Sequence, residues 1–132
     1  MSNLEIIFRD WLDALRRGDI ATIGDRLSPD VVHRGVRSEL VCSGRDAVLA
    51  RVQILMAHAP VVSALELIEV RDHVIMSARA PTIGVPADER AGRRGQATIV
   101  FTLRDELIVH MQDHLTRSAA LAALGAPDEP WD

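Results

Sequence analysis

Lysine and tyrosine are absent from the 132 residues, and all 15 basic side chains are arginine. Without lysine no Schiff base forms with a carbonyl substrate, and without tyrosine no phenol serves as an oxyanion donor, which excludes two common routes of carbonyl chemistry. Cysteine occurs once, at Cys42, so no disulfide closes within the chain, in keeping with a reducing compartment. No apolar run reaches the roughly 18 residues that a membrane span requires. Glu5, Arg9 and Asp10 interrupt the N-terminal segment where a signal peptide needs an unbroken apolar stretch. The expected compartment is therefore the cytoplasm, with no membrane partner. Net charge is -4 and the arginines are scattered, which argues against nucleic acid as a partner. What is present, 48% hydrophobic and 26% charged residues, suits one globular domain with one core.

Periodicity lays out the elements. Leu4, Ile7, Phe8, Trp11, Leu12 and Leu15 recur at helical spacing and predict one helix with a continuous apolar face, closed by Gly18. Asp19 caps a second short helix carrying Ile20, Ile23 and Leu27, which Ser28-Pro29-Asp30 stops. A strand follows, with Val31, His33 and Gly35 on one side and Val32, Arg34 and Val36 on the other. Ser43 and Asp46 predict the start of a third helix bearing Val48, Leu49, Val52, Leu55 and Met56 and ending before Pro60. The period then becomes that of strands. Val61 to Val70 and Val74 to Arg79 form a hairpin, Pro81 to Gly95 a loop, and Gln96 to Arg117 a second hairpin turning at Arg104-Asp105-Glu106. On its last strand Leu107, Val109, Met111, Asp113 and Leu115 share one face, opposite Ile108, His110, Gln112, His114 and Thr116. A short helix within Ser118 to Leu124 completes a single domain of residues 1–125, and 126–132 form a tail. The order is that of an α+β fold. Its strands are apolar on both faces while three helices cover one, so the other face calls for a second copy of the chain, a homodimer.

Asp113 is the one carboxylate on an apolar stripe, and an ionised carboxylate is costly to desolvate without a partner. The expected metal content is none. His110 and His114 have the spacing of a helical zinc pair, but on a strand their rings stand about 13 Å apart. Gly92 and Gly95 lack the strand–helix context of a phosphate loop, and Cys42 carries no local signal of reactivity.

Phe8 to Asp19, Leu27-Ser28-Pro29-Asp30-Val31-Val32, Gly44-Arg45-Asp46-Ala47 and Met111-Gln112-Asp113-His114, in that order, resemble the nuclear transport factor 2-like superfamily and in particular its SnoaL-like, polyketide-cyclase-like branch. The resemblance implies a curved, mostly antiparallel sheet wrapped around N-terminal helices, a cystatin-like arrangement with a cone-shaped pocket, and often a homodimer through the outer face. It includes isomerases, cyclases, epoxide hydrolases, dehydratases and proteins that only bind ligands, so the fold does not dictate the function. Steroid isomerases of this kind place a tyrosine near Trp11 and an acid near Gly35; both are missing. Epoxide hydrolases use an aspartate on the last strand, which Asp113 matches, with an arginine for which Arg79 stands in and a second acid whose place Pro81 takes. Polyketide cyclases also use an acid on the last strand.

Asp113 is thus the candidate general acid or base, or else a structural anion. His33 either relays protons beside it or is a hydrogen-bonded lining residue. Arg79 binds a ligand oxygen or pairs with Asp113, and Trp11, Met56, Val109 and Met111 wall the cavity or belong to the core. Two functions stand side by side: a cofactor-independent isomerase, cyclase or hydrolase acting on a small apolar ligand, and a non-catalytic binding or sensing module with the same cavity.

Overall fold

The computed structural model describes residues 1–57, 64–79 and 96–128. Helical structure opens the chain as α1 (Asn3–Ile6), a π-helical stretch (Ile7–Asp13) and α2 (Ala14–Arg17). Its widened turns break the regular i, i+3, i+4 repeat. Ile6, Ile7, Trp11, Leu12 and Ala14 are buried, whereas Phe8, expected on the apolar face, is 45% exposed. Gly18 ends α2 in the left-handed region at φ 69, and Asp19 caps α3 (Ile20–Arg26) by accepting from the Thr22 amide.

Leu27 begins strand β1 (Leu27–Arg34) and does not continue α3. Ser28, Pro29 and Asp30, read as a helix stop, lie inside that strand where its pairing is irregular, the kind of position a proline tolerates. Val41–Ser43 forms β2, paired antiparallel with β1, so Ser43 is a strand residue opposite Val32. Gly44, at φ 93, takes over the start of α4 (Arg45–Ala57): its amide donates to the Val31 carbonyl and its carbonyl accepts from Val48. Arg45 secures this corner through two hydrogen bonds to the Leu27 carbonyl, 2.8 and 3.0 Å long. Leu55, expected on the apolar side of α4, is exposed.

The two hairpins form as their patterns predict, β3 (Ala64–Val70) with β4 (His73–Arg79), and β5 (Gln96–Arg104) with β6 (Leu107–His114). Asp105 and Glu106 both take positive φ at the second turn, which matches the twist of the flanking strands. The stretch 61–63 and the Pro81 to Gly95 loop lie outside the described residues. One six-stranded curved sheet results, in the order β2-β1-β6-β5-β4-β3, antiparallel except for β1 beside β6. Its concave face packs on the N-terminal helices and α4, where Trp11 meets Phe101 edge-on at 5.0 Å amid Ile7, Ile23, Val48, Leu103, Ile108 and Met111.

The outer face is covered in part by the chain itself. α5 (Arg117–Ala123), capped by Thr116, lays Ala120 and Leu121 on Ile75 and Val100. Over that strip no second copy is needed to bury the sheet, so the apolar argument for a homodimer loses its ground there. Beyond it the face carries His73, Thr102 and His110 in one cross-strand row.

Candidate functional site

Alternation along β1 turns Val31 and His33 inward, and β1 lies between β2 and β6, so His33 sits opposite Cys42 on one side and Met111 on the other. Two residues past Met111 on the same face, Asp113 comes within reach. Its Oδ1 is 2.7 Å from His33 Nε2, the length of a strong hydrogen bond. A carboxylate only accepts, so Nε2–H is the donor. His33 is 3% exposed, and its other nitrogen, Nδ1, is buried with no hydrogen-bond partner among the described residues. Asp113 Oδ2 lies 4.0 Å from Nη2 of Arg51, which α4 delivers from above the sheet. Exposure rises along this row of side chains, from the buried imidazole through Asp113 at 22% to Arg51 at 38%.

Beside the group opens a cavity of about 140 Å³, lined by His33, Gly35, Glu39, Leu40, Val41, Cys42 and Arg51. Gly35 makes its wall. The amide of Gly35 donates to the Leu40 carbonyl at 2.6 Å, and a Cβ on residue 35 would stand 2.7 Å from the Leu40 Cβ, so only glycine lets the loop close this tightly.

Of the residues that the sequence nominated, His33 and Asp113 are brought together. Trp11 and Met111 are core residues, and Met56 packs against the core and over Gly18. Val109 does not share the Asp113 face. The pairing of Thr102 with His110 and of Leu103 with Ile108 leaves Val109 as the extra residue of a β-bulge, and Ile108 takes the inward position instead. Arg79 ends β4 opposite Ala64 and Gln96; its side chain, like Pro81, lies outside what is described. The arginine at Asp113 is Arg51, which the sequence reading passed over. Its signal was an arginine set between Val48 and Val52 on the buried edge of α4.

Among the described residues no three His, Cys, Asp or Glu side chains converge as a metal site, and no helix is long and apolar enough to cross a membrane. On β6, burial lowers the pKa of His110, helped by the positive charges of Arg34, His33 and His73. Burial likewise lowers that of His114, against the opposing pull of Asp113. Both folded values lie below the ordinary 6.5, so the unfolded chain binds more protons just below that pH. Stability is fully present above 6.5 and declines as pH falls through it towards the lower folded values. The melting temperature is expected to drop on acidification across this window, and His110→Gln with His114→Gln is expected to flatten the drop.

The model of the SnoaL-like domain matches residues 8–111. No curated protein matches the sequence. Solved structures with the same fold include a protein from Sinorhizobium meliloti provisionally assigned as a polyketide cyclase, with 18% identity, 86% of this chain and 100% of that one covered, and a TM-score of 0.62. Another, from Jannaschia sp. CCS1 and provisionally assigned as a SnoaL-like polyketide cyclase, has 21% identity, coverage of 96% and 93%, and a TM-score of 0.60. An uncharacterised cystatin-fold protein from Novosphingobium aromaticivorans has 16% identity, coverage of 86% and 98%, and a TM-score of 0.62. At such identities the likeness shows the fold alone; the matched domain, spanning most of the chain from α2's approach to the middle of β6, shows the family, and the chain belongs to the SnoaL-like domain family.

Proposed function

We propose that the protein binds a small organic molecule in the cavity beside His33 and moves a proton on it with Asp113, as a cofactor-independent isomerase, cyclase or hydrolase. The observation that carries this reading is the Asp113 carboxylate. One oxygen is held at 2.7 Å by a buried imidazole, and the other lies 4.0 Å from an arginine of the cavity wall. A carboxylate fixed in orientation, next to a concave site and a cation, has the parts a general base requires. His33 acts in this scheme by positioning Asp113, because its remaining nitrogen is sealed from ligand and water.

That sealed nitrogen also favours a second reading, a binding module without turnover, since no proton passes from Asp113 to solvent through the imidazole. A thermal-shift screen of small carbonyl compounds, lactones and epoxides, followed by NMR in deuterated water, separates the two. Exchange or conversion of a bound compound supports catalysis; tight binding with neither supports the module. No step uses a metal, so binding and turnover are expected to persist after chelation, and loss that zinc restores would remove the reading.

A further inference from the structure

We propose that Arg51 is the recognition group for a carboxylate on the ligand, so that the cavity takes small carboxylic acids in preference to neutral molecules. The proposal rests on the reading of the cavity as a ligand site and names the class of ligand. A guanidinium carries five N–H donors in a planar fork that matches a carboxylate. Arg51 makes no hydrogen bond among the described residues; its one charge contact, to Asp113, is 4.0 Å long. Three arginines packed near the sheet are already held. Arg45 holds the Leu27 carbonyl, Arg26 holds Asp10 at 2.7 Å, and Arg117 holds Glu66. Arg51 instead lies in the wall of a cavity with its donors open.

Charge and size both shape the occupant. Asp113 already gives one oxygen to His33, and at 4.0 Å its second competes only weakly for Arg51, where a ligand carboxylate at hydrogen-bond distance would bind bidentately. Glu39, the one acid among the lining residues, is exposed, so the ligand's anionic end is directed to Arg51 and away from it. A dry cavity of about 150 Å³ takes benzene, and this one measures about 140 Å³, which suits acids no larger than benzoate.

Cys42 is the chain's one thiol and lines the same cavity, so its alkylation rate reports occupancy whether or not chemistry occurs. The test is protection of Cys42 from iodoacetamide by a panel of carboxylates up to the size of benzoate, each beside its neutral amide, in the wild type, Arg51→Met, Arg51→Lys and Asp113→Asn. At least one acid is expected to protect at concentrations about tenfold or more below its amide, as one charge-assisted pair implies. Arg51→Met is expected to erase that preference, Arg51→Lys to keep part of it, and Asp113→Asn to strengthen it by removing a competing charge. Equal protection by acids and amides, a preference that survives in Arg51→Met, or no protection by any acid at millimolar concentration overturns the proposal. Asp113-dependent turnover of neutral lactones without acid preference would overturn it while leaving the proton-transfer reading intact. Acid preference without any turnover would do the reverse.

Discussion

Asp113→Asn is expected to lower turnover by about a hundredfold or more while ligand binding persists, the signature of a lost general base. The substitution keeps the shape of the side chain, and the amide oxygen still accepts from His33 Nε2–H where Oδ1 does now. What it removes is proton affinity at the oxygen facing Arg51. A structural role makes the opposite forecast. An anion that merely satisfies a buried imidazole would, when replaced, cost about 1 to 3 kcal/mol of stability through a weakened buried hydrogen bond and leave the rate alone. Steady-state kinetics and thermal melting on the same two proteins decide the matter. A variant that melts earlier but converts the ligand at the wild-type rate ends the catalytic reading.

Arg117→Ala is expected to destabilise the fold by about 3 kcal/mol without changing ligand affinity. Arg117 is 7% exposed on the outer face of the sheet; its Nε and Nη2 reach the two carboxylate oxygens of Glu66 at 2.5 and 3.3 Å, and Nη1 lies 3.7 Å from Asp128. Breaking a buried pair by deleting one partner costs about 3 to 5 kcal/mol, because the remaining charge stays desolvated. Glu66 keeps some contact with water, which puts the expectation at the lower end. The pair anchors α5, whose Ala120 and Leu121 cover Ile75 and Val100, so the loss is expected as early exposure of that strip. Urea unfolding measures the change, and Arg117→Met with Glu66→Leu is expected to recover most of it, since apolar residues of similar bulk replace such pairs well. A loss below about 1 kcal/mol for Arg117→Ala would mean that the pair behaves as a solvated surface contact.

Much of the architecture is legible in short segments. The alternations around Ile99–Leu103 and Ala64–Val70, the left-handed Gly18, the Asp19 cap and the turn at Asp105-Glu106 are consequences of backbone sterics and side-chain period, which act over a few residues. Asp113 and His33 were legible as candidates for the same reason, each being a polar residue on an otherwise apolar face. The bulge at Val109 was not. An unbroken alternation reads the same whether or not the partner strand skips a residue, and only the pairing of β5 with β6 reveals it.

By itself, then, the chain's local chemistry determined the strands, the turns, the helix caps and the polar residues that face inward. Tertiary structure decided what those residues meet. The parallel pairing of β1 with β6 brings His33 to Asp113, α4 crossing above the sheet brings Arg51 towards Asp113, and α5 folding back covers Ile75 and Val100 on the outer face. Each of these contacts joins segments far apart along the chain, and its stability comes from burial and charge pairing that exist only once the sheet has closed, which no local period encodes.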